Sequence, residues 1–238
     1  MYYVYVRRTG KHVRCIVVNV VTKERLSRDT VVEAALTLAD AEGLEAVTIR
    51  RLATDLGVTP MALYWHFKDK EQLLDGVSEL VLGEMDLPVD EPGRPWEDQL
   101  RGVLDALLAV LRAHPAVTEV VKTRVLLSEP GLELTERVLG LLRAAGFTVE
   151  QASQVAMQAL ITMVGLVAAE PGKTLAEESE DDHDQRLRTK KAHLLTLSPK
   201  RYPHVVEAAD PLTACASSDD YFSVGLDVVL RGMRGVLG

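Results

Sequence analysis

The chain has 238 residues, 47% of them hydrophobic and only 5% aromatic, with a formal net charge of −8 and a mean hydropathy near zero. That is ample apolar material for a soluble globular core of Leu, Val and Ala, and the low Gly and Pro content favours helices. It excludes a disulfide scaffold and a membrane span: Cys15 and Cys215 lie far apart without motif spacing, and the most apolar run, residues 155–169, contains Gln158 and falls short of the roughly 20 residues a span needs.

Residues 155–169 therefore read as a buried core helix, and the two isolated cysteines suit a reducing cytoplasm. The N-terminus lacks the ordered basic, apolar and small-residue regions of a signal peptide. Charge is unevenly distributed. Arg7, Arg8, Lys11, Arg14, Lys23, Arg25 and Arg28 face only Glu24 in the first 28 residues, whereas acids gather at Glu177, Glu178, Glu180, Asp181, Asp182 and Asp184. The net acidity therefore does not decide against a nucleic-acid partner.

In chain order, residues 1–22 form a basic N-terminal extension. Alternation about Thr9-Gly10-Lys11 suits a loose β-hairpin; a disordered basic arm, or residues upstream of the biological start, fit equally. Ser27 then caps a helix through Val31, Ala34, Ala35, Leu38 and Ala39 to Gly43. Thr48 opens a second helix carrying Ile49, Leu52, Ala53 and Leu56, closed by Gly57. Thr59-Pro60 opens a third, and Asp69 a longer fourth that ends before Pro88. Residues 87–95, with three prolines, are the clearest linker. Beyond it helices are expected at about 96–113, 115–127, 130–145, 148–169 and 218–236, with another near 184–197. Residues 171–186 read as a mobile acidic loop and 198–217 as irregular.

Three short helices joined by tight turns form a helix-turn-helix at about residues 28–67, within a unit spanning 23–68. Ala53 is small where helices meet, Gly57 supplies the turn four residues later, and Leu63 fills the inner face six residues beyond. Ile49, Leu52, Leu56 and Val58 point inward as well. Arg50, Thr59, Met61, Tyr64, Trp65, His66 and Lys70 are left outward, where such groups reach base edges and phosphates. Two adjacent aromatics in an aromatic-poor chain do not both belong in a core.

Residues 28–74 resemble the DNA-binding domain of the tetracycline-repressor (TetR) family. The carrying motifs are A-x2-L-x4-G-L at 35–44, T-x-R-x-L-A at 48–53, L-G-V at 56–58 and LYWHFKDKEQLL at 63–74. Pro95-Trp96, Ala145-Gly146-Phe147 and FSVGLDVVLRGM at 222–233 resemble the tetracycline-repressor branch itself. The resemblance implies an all-α fold: an N-terminal helix-turn-helix domain and, over 69–238, a helical ligand-binding and dimerisation domain. It places Arg50, Thr59, Pro60, Met61 and Ala62 in the major groove, and Tyr64, His66 and Lys70 on phosphates. Thr48 caps its helix within reach of a phosphate, and Trp65 supports the recognition helix or touches the backbone.

By the same resemblance the function is that of a repressor, binding a palindromic double-stranded operator as a homodimer and released by a small-molecule effector. Helices 148–169 and 218–236 are assigned to a dimerising four-helix bundle. The pocket is expected between the helix after the linker and helix 148–169, lined by Val103, Leu107, Val121, Val138, Met157 and Met163, with Asp86 and Glu170 nearby. Tetracycline-binding members hold a drug–magnesium chelate through histidines. Asp86 and Val121 stand at the corresponding positions here, so a more apolar effector is expected, with no metal or cofactor. An enzyme is disfavoured, since His12, His66, His114, His183, His193 and His204 show no metal-ligand spacing and no G-x-S-x-G, phosphate-cradling loop or CxxC occurs. The remaining rival is a helical protein-interaction module that binds no operator.

Overall fold

The computed structural model describes residues 4–9, 12–17, 26–170, 180–214 and 217–237. Two antiparallel strands, β1 (Val4–Thr9) and β2 (His12–Val17), pair with Thr9 opposite His12. The hairpin reading of the extension thus matches the described strands, and its turn at residues 10–11 lies outside the described residues. From Arg28 onward every described regular element is helical.

The first four helices begin where side-chain caps are available. Ser27 accepts the Thr30 amide at 3.0 Å and opens α1 (Arg28–Glu42). Thr48 accepts the Arg51 amide at 3.2 Å and opens α2 (Ile49–Asp55). Thr59, followed by Pro60, opens α3 (Pro60–Tyr64), and Asp69 accepts the Gln72 amide at 2.9 Å to open α4 (Lys70–Gly83). Each cap satisfies one of the backbone N–H groups that a helix start leaves unpaired. The prolyl linker follows, tied down by Arg137, whose guanidinium reaches the Pro88 carbonyl at 2.6 Å and Asp90 at 2.7 Å.

The remaining helices are α5 (Trp96–Ala113), α6 (Thr118–Arg124), α7 (Glu129–Ala144), α8 (Val149–Ala168), α9 (Glu180–Leu195), α10 (Pro203–Glu207) and α11 (Ser218–Leu237). Three differ from expectation. The single helix at 115–127 is instead α6 flanked by 3-10 turns at Pro115–Val117 and Val125–Leu127, as suits a β-branched run stiff at χ1. α9 starts at Glu180 rather than near 184; residues 171–179 of the expected loop lie outside the described residues. A five-residue helix, α10, interrupts the stretch expected to be irregular, with Pro203 at its start.

One buried apolar cluster runs from Val31 in α1 to Met233 in α11. α4 is the shared member. A Cβ on its Gly76 would stand 2.8 Å from Val32 Cγ2 of α1, and Leu82 near its other end reaches Gly131 of α7. α8 is apolar and long enough to cross a membrane by length and composition, but it buries Ala152, Val155, Ala159, Leu160, Met163, Val164 and Val167 against the rest of the bundle.

Candidate nucleic-acid interface

The inner face of the α2–α3 corner is sealed. Val47, Leu52, Ala53, Leu63 and Phe67 are all buried, and Ile49, Leu56 and Val58 pack against them half-buried. Gly57 turns the chain between the two helices at φ +64°, a conformation that costs a residue with a Cβ. Arg28 lies over the Phe67 ring at 5.6 Å and pairs with Glu79, packing α1 and α4 behind the corner.

What is left outward is unusual for a folded surface. Trp65 is 85% exposed, Met61 67% and Tyr64 49%, within five residues. Arg50, Thr48, Thr59 and Pro60 are exposed beside them, while Ala62, His66 and Lys70 are half-buried. The Thr48 hydroxyl is engaged as a cap. Arg51 is held by Glu42 and Asp55, while Arg50 forms no ion pair among the described residues. Lys68, exposed between Phe67 and Asp69, extends this cationic rim and was not singled out from sequence.

Away from this corner, α5, α7 and α8 enclose a cavity of about 220 Å³. Leu107, Val138 and Met157 line it with Leu104, Leu134 and Leu160, and Thr135 and Ser153 are the only polar side chains among the described residues of its wall. Val103, Val121 and Met163 are fully buried and do not border it: Val103 and Met163 lie on α5 and α8 but outside its lining, and Val121 lies on α6, which contributes no wall residue. Asp86 is exposed in the segment after α4. Glu170 lies past the end of α8, bonded to Ser218 and 3.5 Å from Arg112. The structure therefore brings together three of the eight expected pocket residues. Leu126 and Thr135 also border a wider open trough between the linker and α7, which reaches from the surface to the cavity wall.

Two side chains that sequence reasoning passed over join the corner to the rest of the bundle. Arg124, at the end of α6, donates to Asp75 at 3.0 Å and to Glu71, both in the first turns of α4. His114 bridges α1 and α4 through Asp40 and Glu84. Their partners lie 30 to 74 residues away, so no local pattern signals either.

A family model described as bacterial regulatory proteins, tetR family, matches residues 31–77, and one described as Tetracyclin repressor-like, C-terminal domain, matches residues 87–237. The HTH-type transcriptional repressor DrrR1 of Streptomyces coeruleorubidus is 30% identical over 214 residues, covering 89% of this chain and 78% of that protein. Among solved structures, ActR of Streptomyces coelicolor in complex with actinorhodin gives a TM-score of 0.78 at 28% identity, over 90% of this chain and 98% of that one. BioQ bound to its natural double-stranded DNA operator gives a TM-score of 0.54 at 30% identity, over 61% of this chain and 88% of that one.

Proposed function

The chain belongs to the tetR family of bacterial regulatory proteins, and on that premise we propose that it is a cytoplasmic transcriptional repressor that binds a palindromic operator as a homodimer and is released by an apolar effector. The observation that carries the DNA-binding part is the two-sidedness of the α2–α3 corner. Its inner residues are shut away from water, while Met61, Tyr64, Trp65 and Arg50, which forms no ion pair among the described residues, stand outward. In this reading residues 23–68 are the reader and 69–238 the effector and dimer domain. Arg50, Thr59, Pro60, Met61 and Ala62 meet base edges; Thr48, Tyr64, Trp65, His66 and Lys70 meet the backbone.

Dimerisation is supported by apolar faces that no described residue covers. α8 presents Ile161, and α11 presents Val224 and Val228 one turn apart, all exposed. α8 and α11 pack against each other, so a second copy laid across both would bury these residues in a four-helix bundle. Two readers then meet half-sites about one helical turn, roughly 34–36 Å, apart.

The apolar effector is supported by the cavity, whose wall carries no charged side chain among the described residues. Neither Asp86 nor Val121 is a histidine or borders the cavity, which speaks against a tetracycline-like chelate. The neighbour ActR, solved with actinorhodin, supports effector binding in this fold. Release would follow a population shift: Val125 and Leu126 line the cavity, and the adjacent Arg124 grips the start of α4, directly after α3. An effector pressing on that wall would tilt the reader through α4.

Fluorescence anisotropy on duplex DNA from the promoter flanking its own gene, over a salt series, tests the core of this reading. Tight binding that weakens steeply with salt, and drops about 10- to 100-fold in Arg50→Ala, is expected. Equal affinity for that duplex and a random one, unaltered by the substitution, would argue for the protein-interaction module.

A further inference from the structure

His114 caps the end of α5 and precedes the Pro115–Val117 turn. Its side chain is only 16% exposed, and both ring nitrogens are engaged. Nδ1 stands 2.7 Å from Oδ2 of Asp40, in the last turn of α1, and Nε2 stands 3.0 Å from Oε2 of Glu84, at the C-cap of α4. An ionised carboxylate only accepts hydrogen bonds, so satisfying both contacts needs an N–H on each ring nitrogen, which is the imidazolium. A neutral ring carries one N–H and turns a lone pair toward the other carboxylate.

The location gives this chemistry a consequence. α1 is the first helix of the DNA reader, α4 connects reader to bundle, and α5 lines the effector cavity; His114 is the side chain on which all three converge. Asp40 is the charge that faces the ring from α1 and Glu84 the one from α4. The nearest cation on α5, Arg112, is turned instead to Glu170 and to the Phe222 ring.

We infer that His114 is a positioning residue of this regulator: as the imidazolium it pins α1 to the end of α4 and fixes the pose of the reader, and loss of one ring proton loosens that pose. The operator arm of this inference rests on the DNA-binding reading above; the clamp itself does not. Burial alone would lower the His114 pKa, but the hydrogen bonds to Asp40 and Glu84, with the attraction of their charges, outweigh it and hold the value above that of an ordinary histidine. The sign follows. A group whose folded pKa is raised contributes fully below its unfolded value, about 6.5, and its contribution fades as pH rises through the folded value. The clamp is therefore firm in mild acid and slackens on the alkaline side. A slack reader must be re-ordered at both half-sites, so operator affinity falls as it slackens.

Two measurements test this. In the free protein, long-range nitrogen–proton spectra of the imidazoles over pH 5–9 should show His114 holding both protons above about pH 6.5, the midpoint of an ordinary histidine. Its midpoint should drop in Asp40→Asn and again in Glu84→Gln. A midpoint no higher than that of an ordinary histidine, or unmoved by those substitutions, overturns the clamp. For the reader, the probe is the tightest duplex that wild type selects from random-sequence DNA at pH 6. Between pH 6 and 8.5 wild type should lose roughly three- to tenfold more affinity than His114→Gln, the difference cancelling whatever the two proteins share. Parallel profiles overturn the positioning role. Glu84→Gln serves in the same comparison if His114→Gln does not fold. If no duplex is selected, the DNA-binding reading fails instead. Amide exchange of α1 then decides the clamp: opening that grows with pH in wild type alone supports it, and equal opening in both proteins overturns it.

Discussion

Arg50 and Arg51 are neighbours on α2 with opposite commitments. Arg51 donates to both carboxylate oxygens of Glu42, at 2.6 and 2.8 Å, and to Asp55 at 2.9 Å, which fastens α2 to the end of α1. Arg50 is exposed and makes no ion pair among the described residues. One arginine holds the reader together and the other is available for what the reader meets.

The two should separate in experiment. Arg50→Ala is expected to lower operator affinity by about 1–3 kcal/mol, the range for a bidentate base contact, with Tm unchanged. Arg51→Ala should lower Tm slightly and leave sequence preference intact, because exposed ion pairs contribute little and this one touches no DNA in the proposed pose. Calorimetry and binding isotherms on the same samples make the comparison.

Gly131 and Gly140, both on α7, should respond to alanine with opposite signs. A Cβ on Gly131 would meet the Val125 carbonyl oxygen at 1.8 Å and Leu82 at 3.1 Å, whereas one on Gly140 meets nothing within 4 Å. Gly131→Ala should destabilise by about 2–4 kcal/mol, since backbone has to move. Gly140→Ala should stabilise by about 0.5–1 kcal/mol, by removing backbone freedom from the unfolded chain. Urea denaturation of both variants reads the difference.

Filling the cavity should uncouple effector from operator. Ala156 borders it, and Ala156→Phe places a ring where an apolar effector would lie. The neutral fluorophore N-phenyl-1-naphthylamine is expected to bind wild type and not the variant, while operator affinity is retained. Equal dye binding by both proteins would locate the effector elsewhere.

Val224 and Val228 form an exposed apolar pair one turn apart on α11. Val228→Asp would bury a carboxylate at the proposed dimer seam, which a monomer avoids by leaving it in water. Sedimentation equilibrium should show a dimer for wild type and a monomer for the variant. Operator affinity should collapse with it, since one reader grips one half-site.

Much of the reader was legible because its determinants are local. Ser27, Thr48, Thr59 and Asp69 each cap a helix within three residues of themselves, and the spacing of Ala53, Gly57 and Leu63 places the turn. Such features are decided by residues close together in the sequence. The cavity was legible only as apolar content. Val103 and Leu104 are adjacent and equally hydrophobic, yet only Leu104 borders it. Helical periodicity reports that a position is buried, not which neighbour it is buried against. The contacts of His114 and Arg124 were not legible, because their partners are brought near by packing alone.

Hydroxyl-radical footprinting of the promoter DNA with wild type and with Arg50→Ala, Tyr64→Ala decides whether the chain reads DNA as a two-fold pair. Two short protected patches are expected on one face of the duplex, about one helical turn apart and related by a dyad, absent with the doubly substituted protein. A single patch, protection without a dyad, or the same footprint from the doubly substituted protein would contradict a two-fold reader working through α2 and α3.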